Sequence, residues 1–151
     1  MQIRAICVTS NNVSDASVLG DLLEQLPPDE ALKSLTGDGA YDTQPAHEAV
    51  LRHGAIPIIP PRKNARVRKG TVFEHRNAAI AACRRLGRSI WKRWIGYHRR
   101  SLVETKMNCI KRLGERVMSR TFERQVNELH IRAAILNRFT ELGRPQTAAV
   151  A

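Results

Sequence analysis

Leu32-Lys33-Ser34-Leu35-Thr36-Gly37-Asp38-Gly39-Ala40-Tyr41-Asp42-Thr43, continuing through Arg52 to Ile59, is the stretch from which the fold is read. Leu32 to Thr36 predicts a short strand leading into Asp38. A helix is expected from about Thr43 to Arg52, with Asp42 or Thr43 as its cap and Gly54 as its C-terminal stop. Ala55 to Ile59 predicts a further strand, ended by Pro60 and Pro61. Working back towards the N-terminus, Ile3 to Thr9 is rich in β-branched residues and is expected to form a strand. Ser14 then offers an N-cap to a helix in which Val18, Leu22, Leu23 and Leu26 recur at helical spacing, until Pro27 and Pro28 stop it. The resulting β-α-β-α-β alternation argues for an α/β fold with parallel strands.

Working forward, Arg62 to Gly70 reads as a polar, basic loop, followed by a helix from about Glu74 to Leu86 that Gly87 breaks. Arg88 to Trp94 interleaves two indoles with cations. A helix begins near Tyr97 and ends or bends at Gly114. A last helix covers about Phe122 to Leu142, with Phe122, Val126, Leu129, Ala133 and Leu136 as its apolar stripe. Residues 1–142 thus read as one domain and 143–151 as a flexible tail.

Charge is distributed unevenly. Residues 1–60 carry three basic and eight acidic side chains, residues 61–100 thirteen and one, and residues 101–151 nine and five. The middle segment alone therefore sums to +12, more than the whole-chain excess of +11. So concentrated a basic segment points to a polyanion, with phosphate contacts supplying sequence-independent affinity. A membrane surface fits less well, because no basic amphipathic helix carries exposed aromatic anchors. No apolar run is long enough to span a bilayer, and no signal peptide is indicated. Cys7, Cys83 and Cys109 are odd in number and lack metal-ligand spacing, which suits reduced thiols in a cytoplasmic protein. The five histidines show no ligand spacing either.

Two places can carry chemistry. Asp38 lies where a strand delivers its last residue to the carboxyl edge of a sheet, the usual ligand position in open α/β folds, and Gly37 and Gly39 beside it leave room for close approach. Asp42 is its local rival, but its place before a helix suits capping. The second place is the helix beginning at Tyr97. At ~100° per residue, Tyr97, Arg100, Glu104 and Lys111 fall within an arc of about 60°. A carboxylate between two cations stays ionised and can still ligate a hard metal. Spacing alone favours an ordinary i,i+4 pair of Arg100 with Glu104 on a solvated face, because ion-pair faces are common. Trp91 and Trp94 either stack on an unpaired base or plug the core; packing is the better reading for Trp91, and Trp94 is balanced between the two.

The spacing Y-x2-R-x3-E-x6-K, together with Gly37-Asp38-Gly39-Ala40-Tyr41-Asp42 and Ile58-Ile59-Pro60-Pro61-Arg62-Lys63-Asn64-Ala65, resembles DDE-class transposases of bacterial insertion sequences, over about residues 3–142. The resemblance implies an α/β, RNase H-like fold, a three-layer arrangement of sheet and helices, here incomplete, with C-terminal helices added. It also implies that Asp38 and Glu104 are the second and third carboxylates of a site for Mg2+ (or Mn2+), which activates water or a DNA 3′-hydroxyl against phosphodiesters. Tyr97, Arg100 and Lys111 would then contact DNA; the charge density of the Arg62 to Lys69 loop adds Arg62 and Lys63 as backbone contacts, and Trp94 is the further candidate, by stacking. The implied partners are the terminal repeats of the insertion sequence, target DNA and a second copy of the chain in a transposition complex.

On the same map the first carboxylate should lie on the first strand. Residues 1–14 contain no Asp or Glu, and Asp15 and Asp21 fall at a helix start and on a helix. Ile3 to Thr9 then corresponds to the third strand of the family sheet, and the first two strands are missing. The expectation is a truncated transposase that does not transpose alone, or a second-frame product or remnant that occupies transposon ends without cutting.

Overall fold

The computed structural model describes residues 2–143, so all but the first residue of the expected tail lies outside the described residues. Helices α1 (Leu19–Glu24), α2 (Gln44–Arg52), α3 (Glu74–Leu86), α4 (Arg88–Trp94), α5 (Ser101–Arg112) and α6 (Phe122–Leu142) accompany two strands, β1 (Ser34–Thr36) and β2 (Ile56–Ile58). The chain divides into two compact units. One is Cys7–Ser101, and the other comprises the described parts of Met1–Ile6 and Leu102–Ala151.

The first unit is built on the β-α-β segment. β1 and β2 pair in parallel, with Ser34 opposite Ile56, Leu35 opposite Pro57 and Thr36 opposite Ile58. Parallel strands need a crossover, and α2 supplies it. Thr43 caps α2, its Oγ1 accepting the Ala46 N–H at 3.4 Å, and Pro45 fits the first turn, where no intrahelical donor is needed. Leu19 and Leu23 of α1 pack with Ala46, Ala49 and Val50 of α2 and with Ala55. Val50 is wholly buried, and Ile59 nearly so. Burying each such side chain contributes roughly 1.5–3 kcal/mol. Gly87 turns the chain between α3 and α4 at φ 85°, a conformation that a side chain would strain.

Three expectations are corrected here. Ser14 does not cap α1: residues 15–18 form turns, Ser14 O accepts from Ser17, and the helix begins at Leu19 with Val18 before it. Asp42 does not cap α2; Thr43 does, and the Asp42 carboxylate is turned inward. Ile3 to Thr9 is not a strand, because none of its backbone joins a ladder. β-propensity without a partner backbone leaves the donors and acceptors to other groups.

In the second unit that substitute is Asn137 of α6. Its Oδ1 accepts the Ile3 N–H and its Nδ2 donates to the Ile3 carbonyl, both at 2.7 Å, as a neighbouring strand would. Lys106 of α5 donates to Thr140 Oγ1 on α6 at 2.7 Å. Arg132 lies buried on α6 and donates to the carbonyls of Gly114 and Arg116 and to Glu128. Glu128 accepts from the N–H groups of Met118 and Ser119. The Met118 N–H, then Ser119 and Arg132, hold its carboxyl below the usual range against the opposing effect of desolvation. The segment between α5 and α6 is thus tied down by side chains of α6, Glu128 and Arg132 together with Gln125, whose Nε2 donates to Ser119 O at 3.0 Å. Ala133 and Leu136 are buried as the stripe predicts, but Phe122 at its start is exposed.

Replacing Asn137 by Leu removes both hydrogen bonds to Ile3, each contributing about 0.5–1.5 kcal/mol. Hydrogen exchange of the Ile3 amide is then expected to accelerate at least about fivefold, with α6 amides unchanged. An unaltered Ile3 rate would show that Asn137 does not hold this segment.

Candidate nucleic-acid interface and carboxylate site

The parallel ladder runs one residue past β1, where Gly37 donates its N–H to Ile58 O at 3.2 Å. Asp38 is the next residue and stands at the carboxyl edge, as expected. It caps the 3-10 turn Gly39–Tyr41, with Oδ1 accepting the Ala40 N–H at 2.9 Å. Its Oδ2 faces Arg100 Nη2 at 3.4 Å, and the Asp38 side chain remains 42% exposed. A carboxylate oxygen has two lone pairs, so Asp38 keeps acceptor capacity for a ligand from solvent. The room left by Gly37 is filled: a Cβ there would stand 3.3 Å from the Tyr41 ring. Burial raises the Tyr41 phenol pKa, Asp15 and Asp38 add to the rise, and Arg100 opposes it.

Arg100 ends a 3-10 turn, Tyr97–Arg100, that precedes α5. The helix therefore starts as a tighter coil than the α-helix expected from Tyr97 onward. Tyr97 is buried, its ring 6.5 Å from that of Trp91 and 4.8 Å beneath the Lys92 ammonium. Trp91 is buried as well, in keeping with core packing, whereas Trp94 is 74% exposed. Glu104 and Lys111 lie exposed on α5, in the second unit. The structure thus brings Asp38 and Arg100 together across 62 residues of sequence. Among the described residues no group of three or more His, Cys, Asp or Glu side chains is placed to hold a metal ion.

The basic loop is held by side chains to which no sequence motif points. Asp42 is wholly buried and accepts from Arg76 at both oxygens, Nε to Oδ1 at 2.6 Å and Nη2 to Oδ2 at 3.3 Å. Its Oδ2 also takes the Arg62 N–H at 3.0 Å, and its Oδ1 lies 3.3 Å from His47 Nε2. Burial would raise the Asp42 pKa, but hydrogen bonds from His47, Arg76 and the Arg62 N–H, with the Arg76 charge, hold it far below the usual carboxylate range. Arg76 Nη1 reaches on to Arg66 O at 2.8 Å. Asn77 brackets Arg68, its Oδ1 accepting the N–H at 3.1 Å and its Nδ2 donating to the carbonyl at 2.7 Å. Arg88 donates to Pro61 O at 2.6 Å. The loop backbone is therefore pinned at Pro61, Arg62, Arg66 and Arg68, while the side chains of Arg62, Lys63, Arg66, Arg68 and Lys69 are exposed.

A family model for the transposase DDE domain matches residues 1–138. This chain belongs to the DDE transposase family. No solved structure matches it. Membership fits an α/β chain with a half-exposed carboxylate at the sheet edge and a cation-bearing loop, and it implies DNA as the general partner. Among the described residues of this DDE-family chain, no helix is long and apolar enough to cross a membrane.

One signal in the sequence does point to the buried clamp. Arg76 shares a helical face with Ala79, Ile80 and Cys83, and a guanidinium on an apolar face requires a carboxylate partner.

Proposed function

We propose that this chain is the C-terminal part, over residues 1–142, of the catalytic domain of an insertion-sequence transposase of the Y-x2-R-x3-E-x6-K branch, with an RNase H-like sheet. It acts in the cytoplasm on phosphodiesters at the ends of the element. Asp38 is the second carboxylate of the site and Glu104 the third. Glu104 is exposed and Asp38 half-exposed, and oxygen donors so placed suit a hard divalent cation such as Mg2+ or Mn2+ that retains several waters. When bound, such a cation supplies Lewis-acid activation of the attacking oxygen and neutralises charge on the phosphodiester. Arg100 orients a phosphate from beside Asp38, and Lys111, Arg62, Lys63 and Trp94 add contacts to the DNA. Tyr97, with its ring buried, acts by its position beneath Lys92.

The observation that supports this reading is the 3.4 Å pairing, within the first unit, of Asp38 with Arg100, the arginine of the Y-x2-R-x3-E-x6-K signature. Residues 1–14 contain no Asp or Glu, so on this reading the given residues hold Asp38 and Glu104 of the three carboxylates, and strand transfer by them alone is not expected. A second reading, occupancy of transposon ends without cutting, is favoured by the +12 charge of residues 61–100.

The test is to incubate the purified chain with duplex DNA bearing the terminal repeats, in Mg2+ or Mn2+. Salt-sensitive binding without strand transfer is expected. Strand transfer by the chain alone would overturn its inactivity, and failure to bind DNA at low salt would sink both readings.

A further inference from the structure

A groove of about 440 Å³ lies in the first unit between the basic loop and the helices α3 and α4. Five cations line it, Arg62, Lys63 and Arg66 from the loop with Arg84 and Arg88 from the helices, and no acidic side chain does. Its remaining wall includes Pro61, Ile80 and Cys83. Converging like charges repel one another and are stabilised by an anion between them. The cations are also preorganised. Arg88 and Arg84 each donate one N–H to a loop carbonyl, to Pro61 O at 2.6 Å and to Ala65 O at 3.4 Å. A guanidinium has five N–H donors in a fixed fork, so these bonds orient the group without exhausting it. A site whose side chains are already ordered loses less entropy when a ligand arrives.

We propose that this groove is a seat for a phosphodiester of nucleic acid, in which Arg84 and Arg88 complete the set of phosphate ligands begun by Arg62, Lys63 and Arg66. The forked guanidinium is matched to phosphate oxygens and can engage two at once. A strand rather than a free phosphate is the occupant because exposed cations continue along the loop at Arg68 and Lys69, beyond the span of one phosphate. This inference rests on the reading that DNA is the partner of the chain.

Cys83 provides a reporter within the groove, and Cys7, exposed in the same unit, an internal control. The full chain is alkylated with a maleimide at mildly alkaline pH, alone and with duplex DNA, a single-stranded oligonucleotide, ATP or inorganic phosphate, and each thiol is followed by mass spectrometry. DNA is expected to slow labelling of Cys83 at least threefold and to leave Cys7 unchanged. In parallel, Arg84→Ala is expected to reduce the slope of log binding constant against log salt by about 0.9, the amount for one duplex phosphate contact. Arg124→Ala on α6 serves as a charge-matched control and is expected to leave the slope unaltered. Salt-dependent DNA binding with Cys83 labelling unprotected and the Arg84→Ala slope unchanged would overturn the groove and leave the DNA reading standing. Protection by ATP or phosphate without protection by DNA would overturn the nucleic-acid assignment in favour of a free phosphate. No DNA binding at any salt would remove the DNA reading, and the groove with it.

Discussion

Asp42→Ala is expected to cost about 3–5 kcal/mol of folding stability, the usual consequence of removing one partner from a buried ion pair. Arg76 is only 6% exposed and the Asp42 side chain not at all. Truncating the acid leaves a guanidinium without its counter-charge in a place where water cannot replace it. It also strips the Arg62 N–H and His47 Nε2 of their acceptor, and His47 Nδ1 is already buried with no hydrogen-bond partner. For a chain of this length the thermal midpoint should fall by at least about 6 °C. The double variant Asp42→Asn with Arg76→Met should be less destabilised than the sum of its two single changes, because it no longer leaves a lone buried charge. A shift of under about 2 °C for Asp42→Ala would mean that the pair does not hold the loop.

The same pair sets a pH dependence. The folded-state pKa of Asp42 is lowered from its ordinary 3.8. Its contribution to stability is therefore complete above about pH 4, where the carboxyl is ionised in the unfolded chain too. As pH falls below that value the unfolded chain takes up the proton first, and stability is lost progressively towards the lower folded-state pKa. Asp42→Asn, already weakened, should show a flatter acid limb than the parent. The consequence for function is specific: the Asp42 carboxylate fixes the backbone of Arg62, an expected DNA contact, directly and that of Arg66 through Arg76.

What can be read in the sequence follows from where the signals are local. The bounds of α3 and α6, the cap and stop of α2 and the parallel pairing around it all rest on Gly, Pro, Thr and apolar spacing within a few residues. The sheet edge at Asp38 follows from the same signals. The strand expected at Ile3 to Thr9 does not form because β-structure needs a partner that composition does not reveal, and the Asn137 amide takes that place. Asp42 misleads for a related reason. An acid one residue before a capping Thr looks like a cap, and only the fold brings Arg76 to it from 34 residues away. Helical spacing puts Tyr97 on an open face, yet its ring is covered, because the turn that carries it packs against Trp91. Long-range pairings of charged groups inside the core are the part that spacing does not encode.

In any assembly where this chain cuts DNA, Asp38→Asn and Glu104→Gln should each lower the rate roughly a thousandfold, as expected when about 4 kcal/mol of transition-state stabilisation is removed. The substitutions are nearly isosteric and separate charge from structure. The carboxamide oxygen in Asp38→Asn can still accept the Ala40 N–H, so the 3-10 turn after β1 keeps its cap and the fold is expected to persist. What is lost is an anionic oxygen facing solvent and Arg100. Such an assembly can be made by fusing to the chain a strand-bearing segment that supplies a further carboxylate, and its strand transfer followed on gels with Mg2+ or Mn2+. A second readout needs no turnover. Fe2+ in place of Mg2+ generates hydroxyl radicals that cut the polypeptide near its binding site, and cuts near residues 38 and 104 should vanish in both variants. Arg100→Ala is the informative contrast, since it should weaken DNA binding and leave the iron-dependent cuts in place. Full activity of Asp38→Asn would show that the residue is only a cap for the turn it begins, and that its position at the sheet edge has no part in the chemistry.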